Sequence, residues 1–227
     1  MSCGFHIHVS LASGSYTLDQ LRRVAKAVVF WGSCTARCAP PSRQDFVQDF
    51  CKSNVVHSDV PVNRDFVKYG PLRFLKYVFD KIDKADRDEV IRLVCPDKYR
   101  AWNFMPAREG GLGSIEHRRP PGVTDAVRSK HWIAFTLSFV EMALVFDPDQ
   151  LAARYYRSAN LMKLPFPRFA STLIECAKKI AIHNYLDVTL KQTDNPRRLH
   201  ITSLEKRKLA WLKKNFDRSY HYSVFGR

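Results

Sequence analysis

Three short stretches of the chain carry side chains that can bind ions and redistribute charge. In Cys3-Gly-Phe-His6-Ile-His8-Val-Ser10-Leu11 two imidazoles stand two residues apart. On an extended backbone they share a face, so both can reach one ligand. A neutral imidazole ligates metal ions, and the ring can also hold a phosphate. In Gly113-Ser-Ile-Glu116-His-Arg118 a carboxylate and a guanidinium have the same spacing. Such a pair suits a metal–phosphate site, where the acid binds Mg²⁺ and the arginine neutralises charge on a transferred phosphoryl group. Just upstream, Tyr99-Arg100-Ala-Trp-Asn103-Phe offers a bidentate donor for a carboxylate or phosphate and an amide beside it. Each pattern also has a plain reading: two surface histidines, an ion pair of little energetic weight, an aromatic strand.

The elements that must position these residues follow from periodicity. Phe5, Ile7, Val9 and Leu11 alternate with His6, His8 and Ser10, which predicts a strand over 3–11 with one apolar face. After the turn ASGSY, Thr17 and Gln20 form a capping box for a helix carrying Leu18, Leu21, Val24 and Val28, expected to end near Gly32. CAPPSR (38–43) breaks the chain, a short helix is expected at 45–51, and 52–70 reads as polar and irregular. Helices are expected from Gly70-Pro71 to Ile82 and over 85–94. Strands are expected at 98–105 and 114–118, separated by the glycine turn EGGLG and stopped by Pro120-Pro121. A long helix follows over 124–146, then further helices at 150–157, 166–181 and 203–216. His117 should point away from Glu116 and be structural, and His131, beside Trp132, reads as a packed core histidine. The pattern is α+β: an antiparallel sheet flanked by helices over 1–148, and a helical basic extension over 149–227.

The order of these motifs is more specific than any one of them. CGFHIHVSL, a helix, PPSR, RAWN, GSIEHR, PPGV and a helix with HWI together resemble the amidoligase family of fungi and bacteria over residues 3 to 146. The two polar strands are also similar to glutamine synthetase, a carboxylate–amine ligase. The resemblance implies a partial glutamine synthetase-like catalytic domain that uses ATP and Mg²⁺. It makes His6 and Glu116 metal ligands, and turns His8 and Ser10 towards the nucleotide. Arg118 would hold the phosphoryl group, Arg100 the carboxylate substrate or a phosphate, and Asn103 would line the substrate side. The substrates implied are a small-molecule carboxylate and an amine, or a peptide. The chain departs from the family in three places: it has no Glu-x-Glu, His117 stands where an apolar residue is usual, and Arg119-Pro120-Pro121 replaces a polar run. These departures lead to the expectation that an acidic N-terminal strand is missing from the given chain, or that the protein is an inactive scaffold.

Charge supports an anionic partner. The 227 residues hold 37 Lys/Arg against 22 Asp/Glu, a formal +15, and seven of those charges fall in residues 191–227. There Trp211, Phe216, Tyr220 and Tyr222 interleave with basic residues, a pattern that also fits nucleic acid or an anionic surface. No recognisable nucleic-acid module accompanies it. The six cysteines with no secretory signal predict free thiols in a reducing, cytoplasmic setting. Cys34 and Cys38 lack a second Cys/His pair at zinc spacing. The most apolar run, 132–146, contains Glu141 and is too short to span a bilayer.

Overall fold

The first strand forms where alternation demands it. In the computed structural model, which describes residues 4–43, 50–54, 75–145, 147, 150 and 166–186, β1 (Ile7–Val9) buries Ile7 and Val9 and exposes His6, His8 and Ser10. Tyr16, 1% exposed, donates its hydroxyl to the Val9 carbonyl at 3.2 Å and so ties β1 to the turn that follows. The capping box then starts α1 (Leu18–Cys38): Thr17 Oγ1 accepts from Gln20 N–H, and Gln20 Oε1 accepts from Thr17 N–H. Leu21, Val24, Val28 and Trp31 fall on one face and are buried.

The helix runs past Gly32, where it was expected to end. A mid-helix glycine costs about 1 kcal/mol relative to alanine, and the turn beyond it buries Cys34, Thr35 and Ala36. The stop comes from proline instead. Ala39, preceding Pro40, takes an extended conformation (φ −84°, ψ 151°) that cannot continue a helix.

Residues 75–84 form α2, and Asp86 caps α3 (Arg87–Val94) by accepting from Glu89 N–H at 2.8 Å. Lys26 of α1 is 5% exposed and reaches Asp83 of α2 at 2.6 Å. β2 (Trp102–Asn103) is shorter than the expected 98–105. Its approach is taken by another segment: Lys52 N–H donates to the Tyr99 carbonyl and Ala101 N–H to the Lys52 carbonyl. Beyond it, Phe104 turns into a 3₁₀ segment at Met105–Ala107 that contains Pro106. β3 (Ile115–His117) completes an antiparallel sheet of order β1-β3-β2. Ile7, His117 and Trp102 stand side by side on one face, and His8, Glu116 and Asn103 on the other.

The apolar face rests on α4 (Ala126–Val145), with α5 (Phe166–Lys179) packed across it. Trp102 stacks on His117 at 4.2 Å and on Phe139 at 4.6 Å, and Phe169 of α5 meets Trp31 of α1 at 5.3 Å. The expected α+β architecture, an antiparallel sheet flanked by helices, is what forms. α5, which the division at 148/149 assigns to the extension, is packed into this same core. The helix expected at 150–157 apart from its first residue, that expected at 203–216, almost all of that expected at 45–51, and most of the basic extension lie outside the described residues. Among the described residues no helix is long and apolar enough to cross a membrane. Cys34, Cys38, Cys51, Cys95 and Cys176 are free thiols.

His117 is structural, as its position in β3 suggested. Thr136 donates its hydroxyl to the Trp132 carbonyl at 2.7 Å, so it can only accept from His117 Nδ1–H at 2.9 Å. The other ring nitrogen is bare and buried. Burial first, then the nearby Arg119 and Arg43 charges, hold the His117 pKa well below that of a free imidazole. The unfolded chain therefore binds a proton that the folded chain refuses once pH drops below about 6.5. Stability from this residue is present above that pH and is lost as pH falls towards the folded-state pKa, at up to about 1.4 kcal/mol per pH unit. Urea unfolding between mildly alkaline and acid pH should show this slope. His117→Asn, which keeps a partner for Thr136 and removes the titration, should flatten it.

Candidate active site on the polar face of the sheet

One carboxylate organises the polar face. Glu116, 4% exposed, sits at the middle of β3 with β1 on one side and β2 on the other. Arg118 Nη1 donates to its Oε1 at 2.7 Å, and His6 Nδ1 lies 2.8 Å from the same oxygen. Asn103 Nδ2 donates to Oε2 at 2.7 Å. His8 Nε2 stands 3.8 Å from Oε1, and its Nδ1 is 3.1 Å from Ser114 Oγ. Three strands thus deliver five polar side chains to one spot, because their residue numbers share the right parity.

A second layer fixes the first. Asn103 Oδ1 accepts from Met105 N–H at 3.0 Å, which orients its amide so that Nδ2 faces Glu116. Cys95 Sγ lies 3.5 Å from the same oxygen and accepts from Phe104 N–H at 3.3 Å. Burial pushes the Cys95 thiol up to about 11, so at neutral pH it packs as an uncharged group. Asn54, 4% exposed, stands beside β2 as a strand would: its Oδ1 accepts from Trp102 N–H, and its Nδ2 donates to the Trp102 and Val94 carbonyls.

The formal charges of Glu116 and Arg118 cancel on this face, and Arg43 behind them tips the balance positive. Glu116 is the single acid among His6, His8 and Arg118, with the Arg43 guanidinium close behind. Burial, reinforced by the Arg118 charge, lowers the His6 pKa, and Glu116 opposes this only in part. A neutral, half-exposed imidazole and a guanidinium around one pinned carboxylate favour an incoming anion.

Of the residues expected from the sequence, His6, His8, Glu116, Arg118 and Asn103 come together. Ser10 lies on the same exposed side of β1, beyond the end of the ladder. Arg100 is held elsewhere. It is 4% exposed, donates to Asp97 at 2.8 Å and to the Ser53 carbonyl at 3.3 Å, and an odd offset from Asn103 sends it to the other side of the strand. Sequence reasoning missed Ser114, two residues before Glu116, which the same parity rule would have found. It also missed Arg43 and Asn54, whose contacts are far away in sequence and leave no local signal.

Magnesium does not fit these side chains alone. The ion wants near-octahedral oxygen coordination. Here both oxygens of the one carboxylate already accept from Arg118 and Asn103. Among the described residues no group of three or more His, Cys, Asp or Glu is arranged to hold a metal ion.

The polar face and the elements that build it lie almost entirely within the stretch that comparison with known families picks out. Residues 1–140 match the model of a family described as "Putative amidoligase enzyme". No curated protein and no solved structure gives a significant match. The match spans well over half of the 227 residues, and the chain belongs to the amidoligase family.

Proposed function

We propose that the chain joins a carboxylate to an amine at the expense of ATP, on the polar face of the sheet. The observation that carries this is the convergence of His6, His8, Asn103 and Arg118 on the single buried Glu116, in a member of the amidoligase family. In this reading the substrate carboxylate attacks the γ-phosphorus of ATP. The bond to the bridging oxygen breaks, ADP leaves with that electron pair, and an acyl phosphate forms. The amine nitrogen then attacks the acyl carbon, phosphate departs, and the nitrogen gives up a proton to leave an amide.

The side chains of this face contribute position and charge rather than covalent chemistry. Arg118 has one guanidinium nitrogen on Glu116, which aims the group and leaves it to meet phosphoryl or acyl phosphate oxygens. His6 and His8, both exposed at the surface of β1, line the approach together with Ser10. Asn103 is locked by Met105 N–H and holds the far oxygen of Glu116. Any magnesium would have to come with the nucleotide's phosphates, since Arg118 and Asn103 already occupy both oxygens of Glu116.

Calorimetry with ATP and magnesium chloride tests the reading. Wild-type chain should bind, Arg118→Ala should lose most of the affinity, and a screen of acids and amines should then find a pair that releases ADP. A folded wild-type chain that takes up no nucleotide would sink it and favour an anion-binding module without ligase chemistry.

A further inference from the structure

The sheet holds the two ends of the polar face only in part: Arg118 N–H donates to the Ala101 carbonyl at 2.8 Å, but the paired residues of β1 and β3 stop short of both His6 and Arg118. β1 begins at Ile7 and β3 ends at His117, and their paired residues run from Ile7↔His117 to Val9↔Ile115. His6 and Arg118 are the next residues outward on each strand. Both side chains that meet Glu116 Oε1 at 2.8 and 2.7 Å therefore project from backbone just beyond the ladder.

A third group closes that end. Arg43, 3% exposed, donates Nη2 to the Arg118 carbonyl at 2.6 Å and to the Pro120 carbonyl at 3.2 Å, and Nε to the Arg119 carbonyl at 3.1 Å. One planar guanidinium thus grips three consecutive carbonyls, which a lysine ammonium on a flexible stem cannot match in geometry. The gripped segment in turn holds β1: Phe5 N–H donates to the Pro120 carbonyl at 3.1 Å, and Gly4 bridges Pro121. Gly4 lies directly against the clamp. A Cβ built there would fall 2.5 Å from Arg43 Nη2, closer than such atoms approach, and a tight 3.0 Å from His6 Nε2.

We infer that Arg43 is a positioning residue of the active site, seated against Gly4, which sets the separation of His6 and Arg118 and thereby the shape of the anion site around Glu116. The inference rests on the ligase reading for its effect on nucleotide, but not for its effect on the site's geometry. The bonds Arg43 donates to 118–120 end on backbone carbonyls and not on the side chains of the polar face. Arg43 acts through the backbone of 118–120 and through the glycine beneath His6. A displacement of about 1 Å at a preorganised site can cost up to roughly a hundredfold in rate.

Two variants test this, Arg43→Lys and Gly4→Ala, each checked for helix content and cooperative unfolding. The first readout is the pair of ring ¹⁵N shifts of His6 at one fixed, mildly alkaline pH, which report its tautomer and its bond to Glu116. The second is affinity for ATP with magnesium chloride by calorimetry. Both folded variants should move the His6 shifts and weaken ATP by roughly tenfold or more, the weight of one misaligned hydrogen bond to a charged group. If the wild-type chain binds no nucleotide, the ligase reading fails and the ring shifts alone decide the clamp. If Arg43→Lys does not fold, Gly4→Ala decides. Unchanged His6 shifts in a folded variant would overturn the inference, as would failure of both variants to fold, which would make Arg43 a residue of the fold and not of the site.

Discussion

Replacing Glu116 with alanine is expected to abolish nucleotide binding and to cost the fold about 3 kcal/mol. The second effect follows from what remains. Arg118, with a side chain 13% exposed, and Asn103, 5% exposed, would both keep their donors and lose their acceptor. Breaking a buried charged pair from one side costs about 3–5 kcal/mol, because the partner stays desolvated. The lower end applies here, since Arg118 keeps some access to water. The first effect follows because Arg118 would no longer be aimed, nor His6 held by its ring nitrogen. Glu116→Gln separates the two effects. Its carbonyl oxygen can still accept from Arg118, but its amide must then face Asn103 Nδ2, donor against donor. Asn103 cannot turn over to relieve this, because Met105 N–H holds its oxygen. The glutamine variant should therefore recover part of the stability and none of the binding. Urea unfolding and ATP calorimetry on both variants check this. An alanine variant with wild-type midpoint and wild-type affinity would remove Glu116 from the centre of the site.

The second large effect is expected far from any reacting atom. Asn54→Ala should destabilise the chain by about 3 kcal/mol, although the side chain lost is small. The residue closes the outer edge of β2 by accepting from Trp102 N–H at 3.0 Å and donating to the Trp102 and Val94 carbonyls at 2.7 and 2.9 Å. Alanine leaves all three backbone groups buried without a partner, and each such group costs about 1–3 kcal/mol, with the sum less than additive. Asn54→Asp should do no better, since it removes both donated bonds and adds a buried charge. Because Trp102 precedes Asn103, loosening this edge should also reduce ATP affinity, in contrast to an equally destabilising change on α5. A loss of stability below about 1 kcal/mol would mean that water or another group takes over the edge.

What the sequence made legible was whatever depends on spacing along one element. Alternation over Phe5–Ser10 gave β1 and its polar side, Thr17 and Gln20 gave the start of α1, and the pairs His6/His8 and Glu116/Arg118 fell on one shared face for the same reason. The same parity rule, applied to Arg100 and Asn103, would have separated those two residues, since an offset of three crosses a strand. The helix end at Gly32 was misplaced because local propensity was outweighed by burial of the next turn. Arg43, Asn54 and the Lys52 pairing with Tyr99 and Ala101 could not be found this way. Their partners lie between 40 and 77 positions away, and a single arginine or asparagine in an irregular stretch carries no mark of the carbonyls it will meet. The family resemblance, drawn from motif order, reached further than any one motif.

The interleaving within β3 also limits how this protein could be changed. Glu116 belongs to the polar face, yet its neighbours in sequence, Ile115 and His117, are 0% and 1% exposed and belong to the core. Trp102 and Asn103 divide in the same way, as do Ile7 and His8. The two surfaces are separated by one backbone thickness and share strands of two or three residues. Inserting or deleting one residue in β3 would exchange the surfaces outright, sending a carboxylate into the aromatic stack and an imidazole to the polar face. Tolerance to altered length should instead lie in the connection ahead of β3. There Gly110 and Gly113 adopt positive φ, and Leu112 stands 79% exposed against no described core residue. New substrate preferences, whether selected or engineered, would have their freest starting material at the rim of the sheet, because within it each gain at the site would be tied to a loss in the core.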